Sequence, residues 1–256
     1  MKSNAIIRIV IYSLVTLLLL GILLAGLGFG SLSFSLGSGN YITGEGAVDA
    51  SQVKNLHIEW AAGSIEIVTA DTDKITFTET GYASEEQRMA YELNGGTLTI
   101  CYKKPSIQIG FFSVPNKILT VTVPRDWVCN GLELDGVSIN VNVQGLTADS
   151  FKLDGASCDV KYDGAVNYVD CDGASCSLEL RCMNRPQEVR LDGASCELDL
   201  LLPAQCGFRA ALDGLSCTFR SDLNCTNSDG QYSYGDGYCR IEADGVSCDI
   251  TVNQYS

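Results

Sequence analysis

The sequence predicts an all-β protein, a β-solenoid of stacked short β-strand repeats that follows one N-terminal transmembrane helix. Three observations predict it. A short phrase recurs through the C-terminal half with a period of about twenty residues. The residues after each copy alternate between apolar and polar, which is the two-residue period of a strand with one buried face. A long uncharged apolar stretch lies near the N-terminus. One repeat cannot cover its own apolar face, so the copies must stack on one another.

The repeated phrase is an apolar residue, Asp-Gly, a small or aliphatic residue, Ser and usually Cys. Its six copies, which we number in sequence order, begin at Asp135, Asp154, Asp172, Asp192, Asp213 and Asp244. The steps between them are 19, 18, 20, 21 and 31 residues, so the fifth step is longer than the others. Each repeat therefore carries a strand, an Asp-Gly corner and a second short strand.

Residues 9–29 are twenty-one residues without a charge, and as a helix they would span the roughly 30 Å hydrocarbon core of a membrane. Lys2 and Arg8 precede this stretch, which predicts a cytoplasmic N-terminus for residues 1–8 and an external C-terminal domain. The alternative is a cleaved signal peptide. The Gly- and Ser-rich residues 30–46 are typical of a flexible tether, and we expect the β-repeat domain to occupy residues 47–253.

The first half of the domain also alternates like a set of strands. Its inward positions include Leu56, Ile58, Trp60, Ile65, Ile67, Ile75, Phe77, Leu98, Ile100, Leu119, Val121 and Val123. We expect a short helical turn within residues 84–91. An apolar loop at residues 105–115 contains Phe111 and Phe112, which either tuck under the sheet or form an exposed contact surface.

The strand LTVTVPRDW at residues 119–127, the Ala-Gly-Ser-Ile-Glu-Ile turn near the start of the domain and the periodic Gly-x-Ser coils together resemble the DUF4097 family. The resemblance covers residues 48–253. It implies a bacterial envelope protein of adhesin type, built from repeated short strands. Together with the apolar segment at residues 9–29, it leads us to expect a single-pass protein of the bacterial cytoplasmic membrane. Some members of the family belong to envelope-stress systems. The resemblance implies no catalytic residues, and the Cys found in five of the six copies departs from the family pattern.

The cysteines of the repeats are predicted to form a column inside the stack, because they occupy the same inward place in successive coils. They are Cys158, Cys176, Cys196, Cys217 and Cys248, with Ile139 in that place in the first copy. Three interpretations compete: core packing by a small hydrophobic side chain, disulfides between neighbouring coils, and a soft-metal site for Zn or Cu(I). The Cys-x-x-Cys pairs that are common in zinc sites are missing.

The long fifth step contains a polar, Tyr-rich stretch between Cys225 and Cys239. Its composition indicates an exposed hairpin or loop, with Tyr232 and Tyr234 as candidate contact residues. A disulfide between Cys225 and Cys239 would close it. The alternatives are two free thiols or pairing with Cys182 or Cys206, which the sequence leaves open.

Stacking also places the Asp residues of the phrase in a row along one edge. Asp-Gly is a common turn pair, because Gly accepts positive φ and Asp can bind nearby backbone. The row could instead hold calcium, with Asp154, Asp172, Asp192 and Asp213 as the candidate ligands. The repeated Ser residues lack an adjacent base, since the one His of the chain, His57, is predicted to face outward on an early strand.

The net charge of -14 argues against binding to nucleic acid or to anionic lipid. The sequence favours a non-enzymatic binding, adhesin-like or envelope-stress sensing module that needs no cofactor. Its expected partner is an envelope protein or a cell-wall component. One alternative is metal or redox handling by the cysteine column. Another is a carbohydrate-active enzyme using outward carboxylates, for which the candidates are Asp159, Glu179, Glu197 and Asp199.

Overall fold

The structure, a computed structural model, describes residues 40–104, 114–228 and 230–255. Nearly all of them belong to one compact unit, residues 39–104 and 115–256; a second unit comprises residues 1–38 and 105–114. Among the described residues, no helix is long and apolar enough to cross a membrane. The predicted helix at residues 9–29 lies outside the described residues, as do Phe111 and Phe112.

The described residues form thirteen strands of one sheet and two short 3-10 turns. The turns are Ala50–Gln52 and Glu85–Gln87, and the second falls where the sequence predicts a helical turn. The strands are β1 Ile42–Thr43, β2 Gly46–Asp49, β3 Asn55–Ala70, β4 Lys74–Thr80, β5 Ala90–Asn94, β6 Thr97–Cys101, β7 Lys117–Pro124, β8 Val128–Cys182, β9 Glu188–Pro203, β10 Phe208–Arg220, β11 Thr226–Ser228, β12 Gln231–Tyr234 and β13 Cys239–Tyr255. The first strand thus begins five residues before the predicted domain start at residue 47.

Strand pairing stacks the repeats in parallel and in register. β8 contains the first three copies in 55 residues without interruption, so the backbone stays extended through each Asp-Gly corner. β9 carries the fourth copy and lies beside the third, with Asp172 opposite Asp192 and Cys176 opposite Cys196. The predicted stack of strand repeats is therefore present, and equivalent residues of neighbouring copies form columns.

The order of the copies in the stack differs from their order in the sequence. The sixth copy, in β13, lies between the fourth copy in β9 and the fifth copy in β10. We attribute this order to the greater length of β13 and to the more complete burial of its apolar side chains. The apolar inward side chains of β13 are almost fully buried, and β13 pairs with β9 over fifteen residues, from Arg240 to Tyr255 with one gap. β10 is shorter, and its Leu215 is 89% exposed, so it serves better as the end of the stack. The long fifth step supplies the chain needed to return inside it.

The first half of the domain continues the same stack. β3 pairs in parallel with β8 from Asn55 opposite Gly131 to Val68 opposite Gln144, and the alternating apolar residues predicted there are buried. Gly63 has a φ of +107°, and a Cβ at this position would lie 2.0 Å from the backbone oxygen of Lys117. Glycine is thus required where β7 approaches β3.

A buried lysine holds together the segments on either side of residues 105–114. Lys117 is fully buried and donates from Nζ to Glu79 Oε2 at 2.7 Å, to the Gln87 carbonyl at 2.9 Å and to the Tyr102 carbonyl. Its ammonium group also lies 4.0 Å from the centre of the Tyr102 ring and 4.8 Å from that of Trp60. Burial lowers the pKa of Lys117, while the Glu79 carboxylate opposes this effect.

Candidate functional site

The glycine of the repeated phrase makes room at the corner for a sulfur and a carbonyl oxygen. None of the six has positive φ, so the turn conformation expected from Asp-Gly is not why Gly is present. A Cβ on Gly155 would lie 2.3 Å from Cys158 Sγ and 2.9 Å from the Gly136 carbonyl oxygen. A Cβ on Gly193 would lie 2.0 Å from the Gly173 oxygen. The side chain of the Cys three residues later therefore fits only because the phrase has Gly, which lacks a Cβ, at this position.

The predicted cysteine column is present inside the stack. Cys158, Cys176, Cys196 and Cys248 are buried and Cys217, in the end coil, is half-buried. The thiols of the first three donate to the Gly carbonyl of the neighbouring copy at 3.8–3.9 Å. Burial raises the pKa of Cys196 to about 11 and that of Cys248 to about 12, so these thiols are neutral at pH 7.

Two other thiols, those of Cys158 and Cys171, lie beside the sulfur of Cys176. Their interaction with Cys176 lowers the pKa of Cys176 and raises the pKa values of Cys158 and Cys171. Within the described part of the chain, however, no three thiols lie within 4.8 Å of one another, and the same holds for the corner carboxylates. All twelve cysteines are free thiols in the structure.

The corner carboxylates form the predicted row. Partial burial, and then the nearby carboxylates of Asp192 and Asp154, raise the pKa of Asp172 above its usual range. Asp135, at the first copy, accepts a hydrogen bond from His57 Nε2 at 2.8 Å, and this bond raises the pKa of His57. As predicted, His57 lies on the outward face of β3.

A groove of about 380 Å³ runs along the stack beside the thiol column. The Ser of the phrase and the second residue after it line the groove in five of the six copies, and the side chain at the Cys position lines it in four of these. The lining residues are Ser138, Ile139, Asn140, Ser157, Cys158, Asp159, Ser175, Cys176, Ser177, Ser195, Cys196, Glu197, Ser247 and Asp249. Since these five copies are neighbours in the stack, the groove extends over four strand spacings, about 19 Å.

The groove is polar and acidic. The Ser hydroxyls are exposed at its rim, while the Cys side chains and Ile139 are buried beneath them. Asp159, Glu197 and Asp249 contribute three carboxylates. No His, Lys or Arg lines it, so no imidazole or amine stands beside a Ser hydroxyl to act as a base. The repeated Ser residues are visible in the sequence, but the groove that they line was not predicted, although the polar residue that follows the Cys position in these copies was a visible signal.

The other candidate residues are placed separately from this groove. Cys239 is fully buried next to Cys206 and Cys182, whereas Cys225 is half-buried at the other end of the loop. Tyr232 stacks on Phe219 with ring centres 4.2 Å apart, and Tyr234 packs against Phe208. Both tyrosines are thus half-buried parts of the end of the stack.

The carboxylates considered for carbohydrate chemistry are divided between two places. Asp159 and Glu197 line the groove, while Glu179 and Asp199 do not. Glu179 forms an ion pair with Lys161, with Glu179 Oε2 2.8 Å from Lys161 Nζ. The four do not form one site around a single bond to be cleaved.

The fold and the groove define an all-β repeat protein with a continuous polar groove along its stacked corners. The sequence profile of the Toastrack DUF4097 family matches residues 53–200, more than half of the chain, and the chain belongs to this family. No curated protein matches it.

Among solved structures, the chain is similar to a candidate cell adhesion protein from Clostridium sporogenes, with 13% identity, a TM-score of 0.50, and coverage of 84% of this chain and 100% of that one. It is also similar to a candidate adhesin from Bacteroides fragilis, with 14% identity, a TM-score of 0.45, and coverage of 84% and 98%. At these identities the first similarity shows a shared fold alone.

Proposed function

We propose that this chain is a non-enzymatic binding module of the bacterial cell envelope, and that it contacts its partner through the groove. The observation that carries the proposal is the groove itself, in which five copies of one phrase present the same hydroxyl and polar positions side by side. Its family and the candidate cell adhesion protein of similar fold are consistent with this role. The contact would serve adhesion or the sensing of envelope stress.

The proposed location is the bacterial cytoplasmic membrane, crossed once by residues 9–29. Their uncharged length and the preceding Lys2 and Arg8 support an internal N-terminus and an external β-repeat domain. Protease added to intact spheroplasts should then digest the domain while sparing a cytoplasmic control protein. Protection of the domain until the membrane is lysed would contradict the proposed orientation.

The chemistry of the groove restricts its ligand. Carboxylates at Asp159, Glu197 and Asp249 repel anionic polymers, and the net charge of -14 adds to that repulsion. The exposed hydroxyls can donate to and accept from a ligand with hydroxyl, amide or amine groups. An extended envelope protein segment or cell-wall strand of this kind, lying along the stack, fits the groove best.

A non-enzymatic role is supported by the repetition of the site. An active site brings different groups to one reacting atom, with a nucleophile and base in contact. The groove instead repeats nearly the same groups once per strand spacing. Such an array suits binding to a repeating or extended ligand, in which many weak contacts add.

Site-specific photo-crosslinking in living cells tests the proposal. A photoreactive residue at Ser175 in the groove should give a discrete adduct with an envelope component. The matched control is Met183, which directly follows strand β8, is 55% exposed and does not line the groove. Equal adducts from both positions, or an adduct from Met183 alone, would refute a groove-directed contact.

A second candidate function, metal or redox handling by the thiols, is supported by the proximity of Cys158 and Cys171 to Cys176; Cys158 and Cys176 line the groove, and Cys171 does not. It requires these sulfurs to react from the groove side. Intact mass after purification without reductant distinguishes the two functions, because bound metal or missing thiols would favour the second.

A further inference from the structure

Away from the groove, the outward face of two neighbouring strands concentrates groups that can bind a metal. β3 contributes His57 and Glu59, and β8 contributes Glu133 and Asp135. The parallel register sets His57 opposite Glu133 and Glu59 opposite Asp135. Like charges directly opposite each other destabilise a sheet, so a cation bound here would relieve a repulsion built into the pairing.

Three of these side chains converge on one point. The ligand atoms of His57, Glu133 and Asp135 all lie within 4.8 Å of one another, and they are the only such trio of His, Cys, Asp or Glu among the residues that the structure describes. His57 Nε2 is 2.8 Å from Asp135 Oδ2. Because all three backbones are fixed by strand pairing, small side-chain movements suffice to close the trio around an ion.

We propose that His57, Glu133 and Asp135 form a binding site for a divalent transition-metal ion of the zinc class. One imidazole nitrogen and two carboxylate oxygens match the ligands of zinc, with bonds of about 2.0–2.2 Å. The imidazole disfavours Ca²⁺ and Mg²⁺, which select oxygen ligands. On binding, the ion takes the place of the proton between Nε2 and Oδ2. An imidazolium releases that proton to solvent, whereas a neutral ring carries its proton on Nδ1 instead, so His57 binds the ion as a neutral imidazole.

The site is accessible to solvent, and its three protein ligands do not complete the coordination of a zinc ion. The side chains of His57, Asp135 and Glu133 are 22%, 42% and 43% exposed, so an ion enters from solvent without unfolding the sheet. Three protein ligands leave a fourth tetrahedral position open, as in zinc sites that also bind water or an external ligand. A donor group of a partner could occupy that position.

Lys152 is the built-in competitor of the metal. Its Nζ lies 3.2 Å from Glu133 Oε1, and the Lys152 side chain is 46% exposed. An ion at the trio must share Glu133 with this ammonium group or displace it. Removing the positive charge of Lys152 should therefore strengthen metal binding, whereas it would be irrelevant to an ion bound elsewhere.

The test is a titration of the full chain, purified in mild detergent without a polyhistidine tag. Exposed thiols are alkylated first so that they do not bind the ion. Zn²⁺ alone is added in a calorimeter, and Co²⁺ is added separately to read the coordination from its visible absorption. We expect one equivalent of Zn²⁺ to bind and a Co²⁺ spectrum typical of four-coordination.

The variants decide the location of the site. His57→Gln, which keeps a hydrogen-bonding group beside Asp135, should weaken Zn²⁺ binding by about 10- to 100-fold and abolish the Co²⁺ spectrum. Glu133→Gln should act in the same direction. Lys152→Gln should strengthen binding by about two- to fivefold. Asp126→Asn, which removes an exposed charge elsewhere, should change nothing.

Two outcomes would overturn the proposal. One is the absence of Zn²⁺ binding by the native chain. The other is an unchanged affinity in His57→Gln whose far-ultraviolet circular dichroism matches that of the native chain. Binding that Lys152→Gln weakens would also contradict the proposed position of the ion.

Discussion

The packing of Gly against Cys within one phrase can be tested by pairs of substitutions at two copies. A methyl group on Gly155 would overlap Cys158 Sγ at 2.3 Å, while the nearest backbone atom is 2.9 Å away. Gly155→Ala should therefore cost about 2–3 kcal/mol of the free energy of unfolding, as overpacked cores do. Cys158→Ala alone should cost about 1 kcal/mol for the sulfur removed.

The double variant Gly155→Ala/Cys158→Ala should recover most of this loss, because the new methyl group occupies the space of the sulfur. We expect a coupling energy of about 1–3 kcal/mol between the two substitutions. At Gly193 the obstacle is the Gly173 backbone oxygen at 2.0 Å, which no side-chain substitution removes. Gly193→Ala/Cys196→Ala should consequently show little coupling.

Urea denaturation of the full chain, followed by circular dichroism, measures these free energies. Gly131→Ala is the matched control, since its Cβ would meet only Ser150 Oγ at 3.3 Å and Asn55 Oδ1 at 3.5 Å. It should change stability by less than about 0.5 kcal/mol. If the Gly155 and Cys158 effects simply add, the thiol does not fill the space that glycine leaves, and our account of the phrase is wrong.

Three further predictions concern buried and acidic groups. Lys117→Met should cost about 3–5 kcal/mol, because it leaves the buried Glu79 carboxylate without its main counter-ion, and adding Glu79→Gln should restore at least half of this in urea denaturation. Asp172→Asn should raise the Tm at pH 7 by about 1–3 °C. Because the folded-state pKa of Asp172 is raised, its ionised form destabilises the folded state. The gain in Tm should therefore grow as pH rises above about 4 and vanish below it. A gain that persists at low pH would exclude the charge of Asp172 as its cause. Brief alkylation of the native chain should label the half-buried Cys217 and Cys225, and the other ten thiols should react only after denaturation. Intact mass reads the number of labelled thiols. Rapid labelling of the cysteine column in the native chain would show that the column is open to solvent.

The stacking of the repeats could be predicted from the sequence because it rests on local information. A period near twenty residues and the alternation after each Ser fix which residues face inward and which ones meet across neighbouring copies. The cysteine column and the Asp row follow directly from that register. The buried strands of the first half followed from the same alternation.

The order of the last two copies could not be predicted, because it depends on competition between coils for the interior. β13 and β10 carry the same phrase, and their exchange is decided by pairing length and by how completely each coil buries its apolar residues. The role of the corner glycine was also hidden. Its sequence signature is that of a turn, whereas its need for space arises from the sulfur and carbonyl that only the folded stack brings together.

The functional residues were harder to find for a related reason. The groove and the trio of His57, Glu133 and Asp135 both form between strands that are distant in sequence. His57 and Glu133 are 76 residues apart, yet the β3 and β8 register sets them opposite each other. Only knowledge of that register, which a single sequence lacks, could have joined them.

The most direct test of the proposed function is the affinity of the chain for the component that crosslinks from Ser175. Ser175→Trp fills the groove, whereas Met183→Trp adds the same side chain to an exposed position directly after the same strand, outside the groove. We predict that Ser175→Trp weakens binding at least about tenfold, with Met183→Trp indistinguishable from the native chain. Unchanged binding by Ser175→Trp, or equal losses in both variants, would contradict a groove that binds the partner.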